Sequence, residues 1–319
     1  QKKSNTLPKR PKLVVGIVVD QMRYEYLYKY ADRYVDGGFK RLMKEGLNCQ
    51  ENHYNYAPTV TAAGHTSVYT GTVPSVHGIV GNDWTDVASG KKVYCTEDST
   101  VKTVGTTGKT GWMSPKNLWT STITDQLKMA QNYKSKTIAI ALKDRGAILP
   151  GGHTANAAYW YDSKEGRWIS SSFYFNELPS WVQSFNAEER ALKYVQKGWN
   201  TIYPIETYTQ SAEDENKFEG KLPGEKSTSF PHDLKGGNPL EVIRTTPYGN
   251  SITKDFAIKT LENEKLGKNG STDFLAISFS STDYVGHNFG PQSIELEDTY
   301  LRLDKDIAEI LTYLDVQYG

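Results

Sequence analysis

Four short segments of the chain carry side chains suited to nucleophilic, anion-binding or metal-binding chemistry. The first is Asp20, which follows the apolar run Leu13–Val19. A carboxylate just past the carboxyl end of a buried parallel strand lies where open α/β sheets bind their ligands. The simpler alternative, that Asp20 caps the next helix, stays open at this point.

The second segment runs from Pro58 to Thr66 and places Thr61 where a helical pattern begins. A hydroxyl at a helix N-terminus faces free backbone N–H groups and the positive end of the helix dipole. Both would stabilise an alkoxide and an incoming phosphate. Because a threonine hydroxyl is a poor nucleophile near neutral pH, this role requires an adjacent base or a metal ion. The alternative is a plain helix cap, the commoner role of threonine at such positions.

The third segment contains Asp283 and His287, shortly after the apolar run Phe274–Phe279. Residues four apart lie on one face of a helical turn. Carboxylate oxygen and imidazole nitrogen are both good zinc ligands. Taken alone, the pair fits a surface or capping pair as well.

The fourth segment places Lys143 and Arg145 after the apolar run Thr137–Leu142. If the chain is still extended there, both side chains point to one side. A point charge and a planar guanidinium together bind phosphate oxygens well, although an exposed charged loop is the alternative. No segment decides alone, but together they follow the ends of strands that we expect to be neighbours. This convergence favours a functional site over core packing.

The elements that position these residues are predicted from hydrophobic patterns. Leu13–Val19, Thr137–Leu142 and Phe274–Phe279 are continuous apolar runs, typical of strands buried on both faces. Ile294–Leu314 has the periodicity of a long amphipathic helix. Strands separated by helices at this spacing predict an α/β fold with a mostly parallel sheet sandwiched by helices.

Weaker patterns predict three further elements. These are a helix over 36–46 with Leu42 facing inward, a strand over Cys49–Tyr56, and a helix that opens at Ser114-Pro115 with Ile123 on its apolar side.

The stretch 147–250 differs from the rest of the chain in composition and in its predicted elements, and we interpret it as an inserted cap region. It contains a predicted hairpin of Ala157–Tyr161 and Arg167–Phe175, then a short helix with Asn186 as its cap, then a polar section rich in Gly, Pro and Ser. We therefore divide the chain into a first core part over 10–146, a cap over 147–250 that covers the ligand edge of the sheet, and a second core part over 251–319.

Composition excludes several classes of partner. The 37 basic and 37 acidic residues cancel, so there is no electrostatic case for binding nucleic acid or an anionic membrane. The longest apolar run is too short to span a bilayer. No signal-peptide pattern is present, so an exported protein would have lost its signal and would begin at Gln1. Cys49 and Cys95 fit a disulfide or two buried thiols equally, and any metal must be held by oxygen and nitrogen ligands.

Five motifs together resemble the PafA-type monoesterase alkaline phosphatases, a branch of the alkaline phosphatase superfamily. The resemblance runs nearly end to end. The motifs that carry it are Val18–Arg23, Ala57–His65, His77–Asn82, Leu142–Arg145 and Ser281–His287. The wider superfamily includes nucleotide pyrophosphatase/phosphodiesterases, sulfatases and cofactor-independent phosphoglycerate mutases.

The resemblance implies a role for each candidate residue. Asp20 and Thr61 would bind one zinc ion, and Thr61 would also be the nucleophile that forms a phospho-threonine intermediate. Asp283 and His287 would bind the second of two zinc ions. The residues that would hold the phosphoryl oxygens are Asn82, Lys143 and Arg145.

The same resemblance implies a substrate class and a location. Related diesterases lack the lysine and arginine and offer an apolar groove instead, so this chain is expected to act on small-molecule phosphate monoesters. The implied location is periplasmic or secreted.

In one respect the chain departs from the family pattern. In the family, an Asp-His pair completes the first zinc site and a later histidine completes the second. The remaining histidines do not stand in matching contexts; they are His53, His65, His77, His153 and His232. The chain thus resembles the N-terminal part of a longer polypeptide, truncated before the remaining core strands, and the missing C-terminal part is expected to be needed.

Three rival interpretations remain. The chain could belong to a phosphodiesterase or nucleotide pyrophosphatase of the same fold, or be a truncated, non-catalytic fragment that binds phosphate. A sulfatase is the third, but sulfatases need a Cys or Ser that is converted to formylglycine, and Thr61 cannot supply it.

Overall fold

A six-stranded sheet runs through the computed structural model, which describes residues 10–319. The expected mature start at Gln1 lies outside the described residues. The strand order is β1-β8-β5-β6-β7-β4, and β2 and β3 form a separate two-stranded hairpin. The strands are β1 Leu13–Val19, β2 Asp83–Thr85, β3 Lys92–Tyr94, β4 Thr103–Val104, β5 Thr137–Ala141, β6 Ala157–Asp162, β7 Arg167–Ser171 and β8 Asp273–Phe279.

Helices pack on both sides of this sheet and confirm the predicted fold class. The helices are α1 Tyr26–Lys29, α2 Phe39–Glu45, α3 Thr61–Thr70, α4 Pro74–His77, α5 Ile123–Ala130, α6 Asp144–Gly151, α7 Ser180–Ala187, α8 Arg190–Val195, α9 Pro239–Val242, α10 Tyr248–Glu264, α11 Ser281–Phe289 and α12 Ile294–Tyr318. None of the helices within residues 10–319 combines the length and the apolarity needed to cross a bilayer.

The parallel register aligns the carboxyl ends of three strands. Strand β8 pairs with β1 on one side and with β5 on the other, and both pairings are parallel. Val19 lies opposite Phe279, and Ala141 lies opposite Ser278. The chain therefore leaves all three strands at the same edge of the sheet, where side chains from distant parts of the sequence can meet.

The predicted hairpin is present, but its strands extend the main sheet. Strand β6 pairs in parallel with β5 and antiparallel with β7. The first strands of the stretch 147–250 are thus continuous with the core sheet. Its interpretation as a cap over the ligand edge stays a prediction.

Several weaker predictions were wrong. The stretch 49–56 contains no strand, and Leu42 is exposed although α2 forms around it. Helix α5 begins at Ile123 and not near Ser114, because Thr122 and Asp125 form a reciprocal capping box there. Ile123 is exposed as a result.

Asn186 also has a different role from the predicted cap. It lies inside α7, and its side chain accepts a hydrogen bond from the Trp168 backbone N–H and donates one to the Trp168 carbonyl. Both cysteines are free thiols, with Cys49 exposed and Cys95 buried.

Strand β1 differs from the other strands of the parallel group. All of its residues are apolar, yet each is only partly buried, whereas β5 and β8 are fully buried. It pairs with β8 on one side only. Among the described residues, the other edge of β1 is therefore open to a further strand.

Candidate functional site

One open pocket at the carboxyl edge of the sheet is lined by all of the predicted site residues. The pocket has a volume of about 700 Å³. The predicted residues that line it are Asp20, Thr61, Asn82, Lys143, Arg145, Asp283 and His287. The structure therefore brings together side chains that the sequence spreads over more than two hundred positions.

Thr61 is the first residue of α3, and its hydroxyl donates a hydrogen bond to Asp20 Oδ2 over 3.2 Å. The residue at the cap position is Val60, so Thr61 is not the side-chain cap that the alternative assumed. Asp20 does not cap a helix either, since its carboxylate faces Thr61 and Lys143. Because Thr61 begins α3, its hydroxyl lies at the positive end of the helix dipole.

The Lys143 ammonium lies at the centre of the oxygen cluster. Its Nζ is 2.7 Å from Asp20 Oδ2, 2.5 Å from Asp283 Oδ2 and 3.3 Å from Thr61 Oγ1. Burial raises the pKa of Asp20, but the charges of Lys143 and His65 and the hydrogen bonds from Lys143 and Thr61 together outweigh it, so that pKa lies below its ordinary value. Asp20 is therefore held as an anion beside the hydroxyl.

Arg145 and Asn82 also line the pocket. Lys143 is the last extended residue after β5, and Arg145 already belongs to the first turn of α6. The two cations thus reach the pocket from a strand-to-helix turn and not from one extended segment. Asn82 Oδ1 accepts a hydrogen bond from the Ala62 N–H over 3.0 Å, which fixes the amide beside the start of α3.

Asp283 and His287 share one face of α11, as predicted. The His287 Nε2 lies 3.3 Å from Asp283 Oδ1, and the imidazole is mostly exposed. Gln21 donates a hydrogen bond from Nε2 to Asp283 Oδ1 over 3.1 Å, which links this pair to the turn after β1.

Two residues that support the site were missed by sequence reasoning. His65 is buried and spans from the Thr61 carbonyl, 2.8 Å from Nδ1, to Ser278 Oγ, 2.7 Å from Nε2. Burial lowers the pKa of His65, so a neutral ring that donates from Nδ1 and accepts at Nε2 satisfies both contacts. Its position one helical turn after Thr61 was the available signal.

The second is Tyr284, whose ring lies beneath two cations. The Lys143 ammonium is 4.8 Å from the ring centroid, and the Arg244 guanidinium is 5.2 Å from it. Such contacts favour a fixed position for a cation near a ring face. No sequence signal pointed to this role, because Arg244 comes from a distant segment.

The donor set matches part of a zinc site. Carboxylate oxygens, a hydroxyl and an imidazole are suitable ligands. Oxygens of Asp20, Thr61 and Asp283 already surround one positive charge, the Lys143 ammonium. Within residues 10–319, however, no three His, Cys, Asp or Glu side chains are grouped so that they could hold a metal ion. The described residues therefore show no complete metal site, and the two zinc positions stay a prediction.

Comparison with known proteins gives close relatives. The chain is 55% identical over 312 residues to alkaline phosphatase PhoV of Synechococcus elongatus, covering 97% of this chain and 57% of that protein. It is 51% identical over 321 residues to alkaline phosphatase PafA of Elizabethkingia meningoseptica, covering 99% of this chain and 59% of that protein. The chain thus spans less than two thirds of the length of these relatives.

A solved structure and a family profile agree with these relatives. The crystal structure of wild-type alkaline phosphatase PafA superposes with a TM-score of 0.94 at 50% identity, covering 99% of this chain and 61% of that one. The resemblance inferred from the sequence motifs is thereby confirmed. The profile of the family described as type I phosphodiesterase / nucleotide pyrophosphatase matches residues 14–318. Since that match takes in nearly the whole chain, the protein belongs to the type I phosphodiesterase / nucleotide pyrophosphatase family.

Proposed function

We propose that this chain is the N-terminal part of a zinc-dependent phosphate monoester hydrolase with Thr61 as its nucleophile. The observation that carries the proposal is the pocket in which the Thr61 hydroxyl, two carboxylates and two cations converge. The names of the PhoV and PafA relatives support the same reaction class.

In the proposed first step, Thr61 Oγ attacks the phosphorus of the substrate. The Oγ–P bond forms, the bond from phosphorus to the leaving oxygen breaks, and the hydroxyl proton passes through solvent to the leaving oxygen, which departs as an alcohol. Asp20 Oδ2 orients the hydroxyl before attack through their 3.2 Å hydrogen bond. A water molecule then attacks the phosphorus of the phospho-threonine, the Oγ–P bond breaks, one water proton passes to Oγ, and inorganic phosphate leaves with the other.

The cations and the amide hold the phosphoryl oxygens in this scheme. Charge on these oxygens dominates phosphoryl transfer, so Lys143, Arg145 and Asn82 contribute mainly by electrostatic stabilisation. A monoester carries one more negative charge than a diester, and the lysine and arginine therefore favour monoesters.

Zinc would be held by Asp20 and Thr61 at one position and by Asp283 and His287 at the other. When bound, zinc lowers the pKa of a coordinated hydroxyl and neutralises charge on the leaving oxygen. The missing ligands are proposed to come from a further part of the same polypeptide. The open edge of β1 supports this, because a further strand of the sheet could pair there. Secretion or periplasmic location stays a prediction.

The Thr61→Ala variant of the full-length polypeptide tests the proposal. We expect turnover of a phosphate monoester to fall by at least about 1,000-fold, since the nucleophile is lost. Rapid acid quench with labelled substrate should find phosphate on the Thr61 peptide of the parent and none on the variant. The matched control is Thr70→Ala on the same helix, whose hydroxyl bonds the Thr66 carbonyl over 2.8 Å and does not line the site pocket. Near-parental turnover of Thr61→Ala would rule out the proposed nucleophile.

The rival function is phosphodiester hydrolysis, which the description of the matched family favours. A panel of a phosphate monoester, a phosphate diester and a sulfate ester separates the two. Faster turnover of the diester would reject the monoesterase assignment. Absence of turnover by the full-length protein with zinc would favour a non-catalytic phosphate-binding protein.

A further inference from the structure

The two cations of the pocket are held in place by different parts of the molecule. Lys143 is fixed by the carboxylates of Asp20 and Asp283. The Arg145 guanidinium contacts neither of them within hydrogen-bond distance. Its one hydrogen bond to the described residues runs from Nη1 to the hydroxyl of Tyr94, over 2.9 Å. The guanidinium Nε is buried and has no partner among residues 10–319.

The Tyr94 hydroxyl is itself oriented by an acid. It donates a hydrogen bond to Asp144 Oδ1 over 2.8 Å, and the other oxygen of Asp144 accepts from Thr96 Oγ1. Because its proton points to Asp144, the lone pairs of the hydroxyl remain for Arg145. Burial, and then the Asp144 charge, raise the pKa of Tyr94, so the hydroxyl keeps this proton at alkaline pH.

The backbone that carries Tyr94 is fixed as well. Tyr94 ends β3, and the Asn117 side chain donates to its carbonyl over 3.2 Å. The next residue, Cys95, donates its backbone N–H to the carbonyl of Asn82 over 2.9 Å. One proposed phosphate ligand, Asn82, therefore directly precedes the hairpin of β2 and β3, and the hairpin ends at Tyr94, which holds another, Arg145.

We propose that Tyr94 is a positioning residue, which aims the Arg145 guanidinium at the phosphoryl oxygens through the hydroxyl held by Asp144. This inference rests on the proposed function, because it assigns Arg145 to phosphate binding. Rigid placement of a charged donor before substrate arrives is what makes such a donor effective in phosphoryl transfer. Among the described residues the Lys143 ammonium bonds Asp20, Asp283 and Thr61 and makes no hydrogen bond to Tyr94, so the two cations should respond to Tyr94 differently.

A double-mutant cycle on the full-length, metal-loaded polypeptide tests this. Tyr94→Phe removes the hydroxyl and leaves the ring in place. We expect kcat/KM for p-nitrophenyl phosphate to fall by about tenfold, the size of one hydrogen bond to a charged group. In an Arg145→Ala background the same change should have no further effect, whereas in a Lys143→Ala background the tenfold loss should remain.

Two further measurements exclude a merely structural role. Hydrolysis of bis(p-nitrophenyl) phosphate should change less than twofold, and the thermal midpoint should stay close to the parent. The matched control is Tyr159→Phe, a fully buried core tyrosine on β6 whose hydroxyl has no partner among the described residues. That variant should keep the parental kcat/KM.

Titration with inorganic phosphate separates this inference from the proposed function. If the parent lacks turnover but binds phosphate, and Tyr94→Phe weakens binding only when Arg145 is present, the positioning role stands while the catalytic proposal fails. A loss that persists in the Arg145→Ala background, or no loss in Tyr94→Phe, overturns the positioning role. Absence of phosphate binding by the parent overturns both.

Discussion

Two regions of this molecule with largely buried carboxylates neutralise them in different ways. In the pocket, Asp20 and Asp283 share the single Lys143 ammonium. On α12, Asp298 accepts hydrogen bonds from fixed groups of the loop over 199–208 and from the Arg302 side chain. Asp304, on the same helix, accepts from the backbone N–H groups of Val35 and Phe39.

The difference separates structural acids from acids available for chemistry. The oxygens of Asp298 are saturated by donors that belong to the fold, so a ligand has nothing to gain there. The oxygens of the pocket acids share the Lys143 ammonium, contact the side chains of Thr61 and Gln21, and border an open pocket. Their partners can be exchanged when a substrate or a metal ion arrives. The two groups of acids therefore differ in how completely their carboxylate oxygens are hydrogen-bonded to the fold, and not in burial alone.

The largest effect on stability is expected from the loss of a structural acid, Asp298. Asp298→Ala would leave four donors without their acceptor, and they include the indole N–H of Trp199 and the hydroxyl of Tyr208. We expect the free energy of unfolding to fall by about 3–5 kcal/mol. Urea denaturation of this chain measures the change.

Asp315 offers a control on the same helix. It is an exposed acid that pairs with Arg41, so Asp315→Ala should change stability little. An Asp298→Ala variant no less stable than this control would contradict the structural role of Asp298.

An intermediate effect is expected at Asp306, an α12 acid that is buried without saturating donors. It accepts from Ser251 Oγ over 2.9 Å, while Lys254 Nζ lies 3.9 Å away. Burial outweighs the Lys254 charge and raises its pKa from 3.8 to about 7. The folded chain therefore holds a proton that the unfolded chain releases, and stability should fall as pH rises from about 4 to about 7.

The Asp306→Asn variant removes this titration. Between pH 4 and pH 8 the parent should lose about 2 kcal/mol relative to the variant, less than the full pKa difference implies because the buried site relaxes. Urea denaturation at several pH values measures the two curves. Parallel curves would show that Asp306 does not titrate in this range.

The smallest effect on stability is expected in the pocket. Lys143→Met removes the cation between Asp20 and Asp283, but water can enter the open pocket and solvate both acids. We expect a loss of about 1 kcal/mol in this chain, below that of Asp298→Ala. Denaturation of both variants under the same conditions tests the order. If Lys143→Met were the more damaging change, the distinction between the two groups of acids would be wrong.

The candidate site was predictable because its residues follow strong strand signals. A continuous run of β-branched and apolar residues, such as Leu13–Val19, has few alternatives to a buried strand, so the residue after it lies at the sheet edge. Asp20, Lys143 and Asp283 were placed by this argument, Thr61 by its position at the start of a helical pattern, and Asn82 by the family motifs alone.

Predictions that depended on competition between local signals failed. Ser114-Pro115 has the form of a helix start, but the Thr122 and Asp125 capping box offers a better one eight residues later. Asn186 was expected to cap a helix and instead bonds the Trp168 backbone, which local sequence cannot reveal. Leu42 fits an inward face by spacing, yet it is exposed in α2.

The sequence by itself determined the alternation of strands and helices, the residues at the strand ends and the family to which they belong. Hydrophobic period and residue type are local properties, so they can be read without coordinates. Only the tertiary structure decided which donors meet which acceptors. Tyr94 reaches Arg145, and the α12 acids reach their loops, through contacts between segments far apart in the chain, and the free energy of such contacts depends on how the whole fold packs.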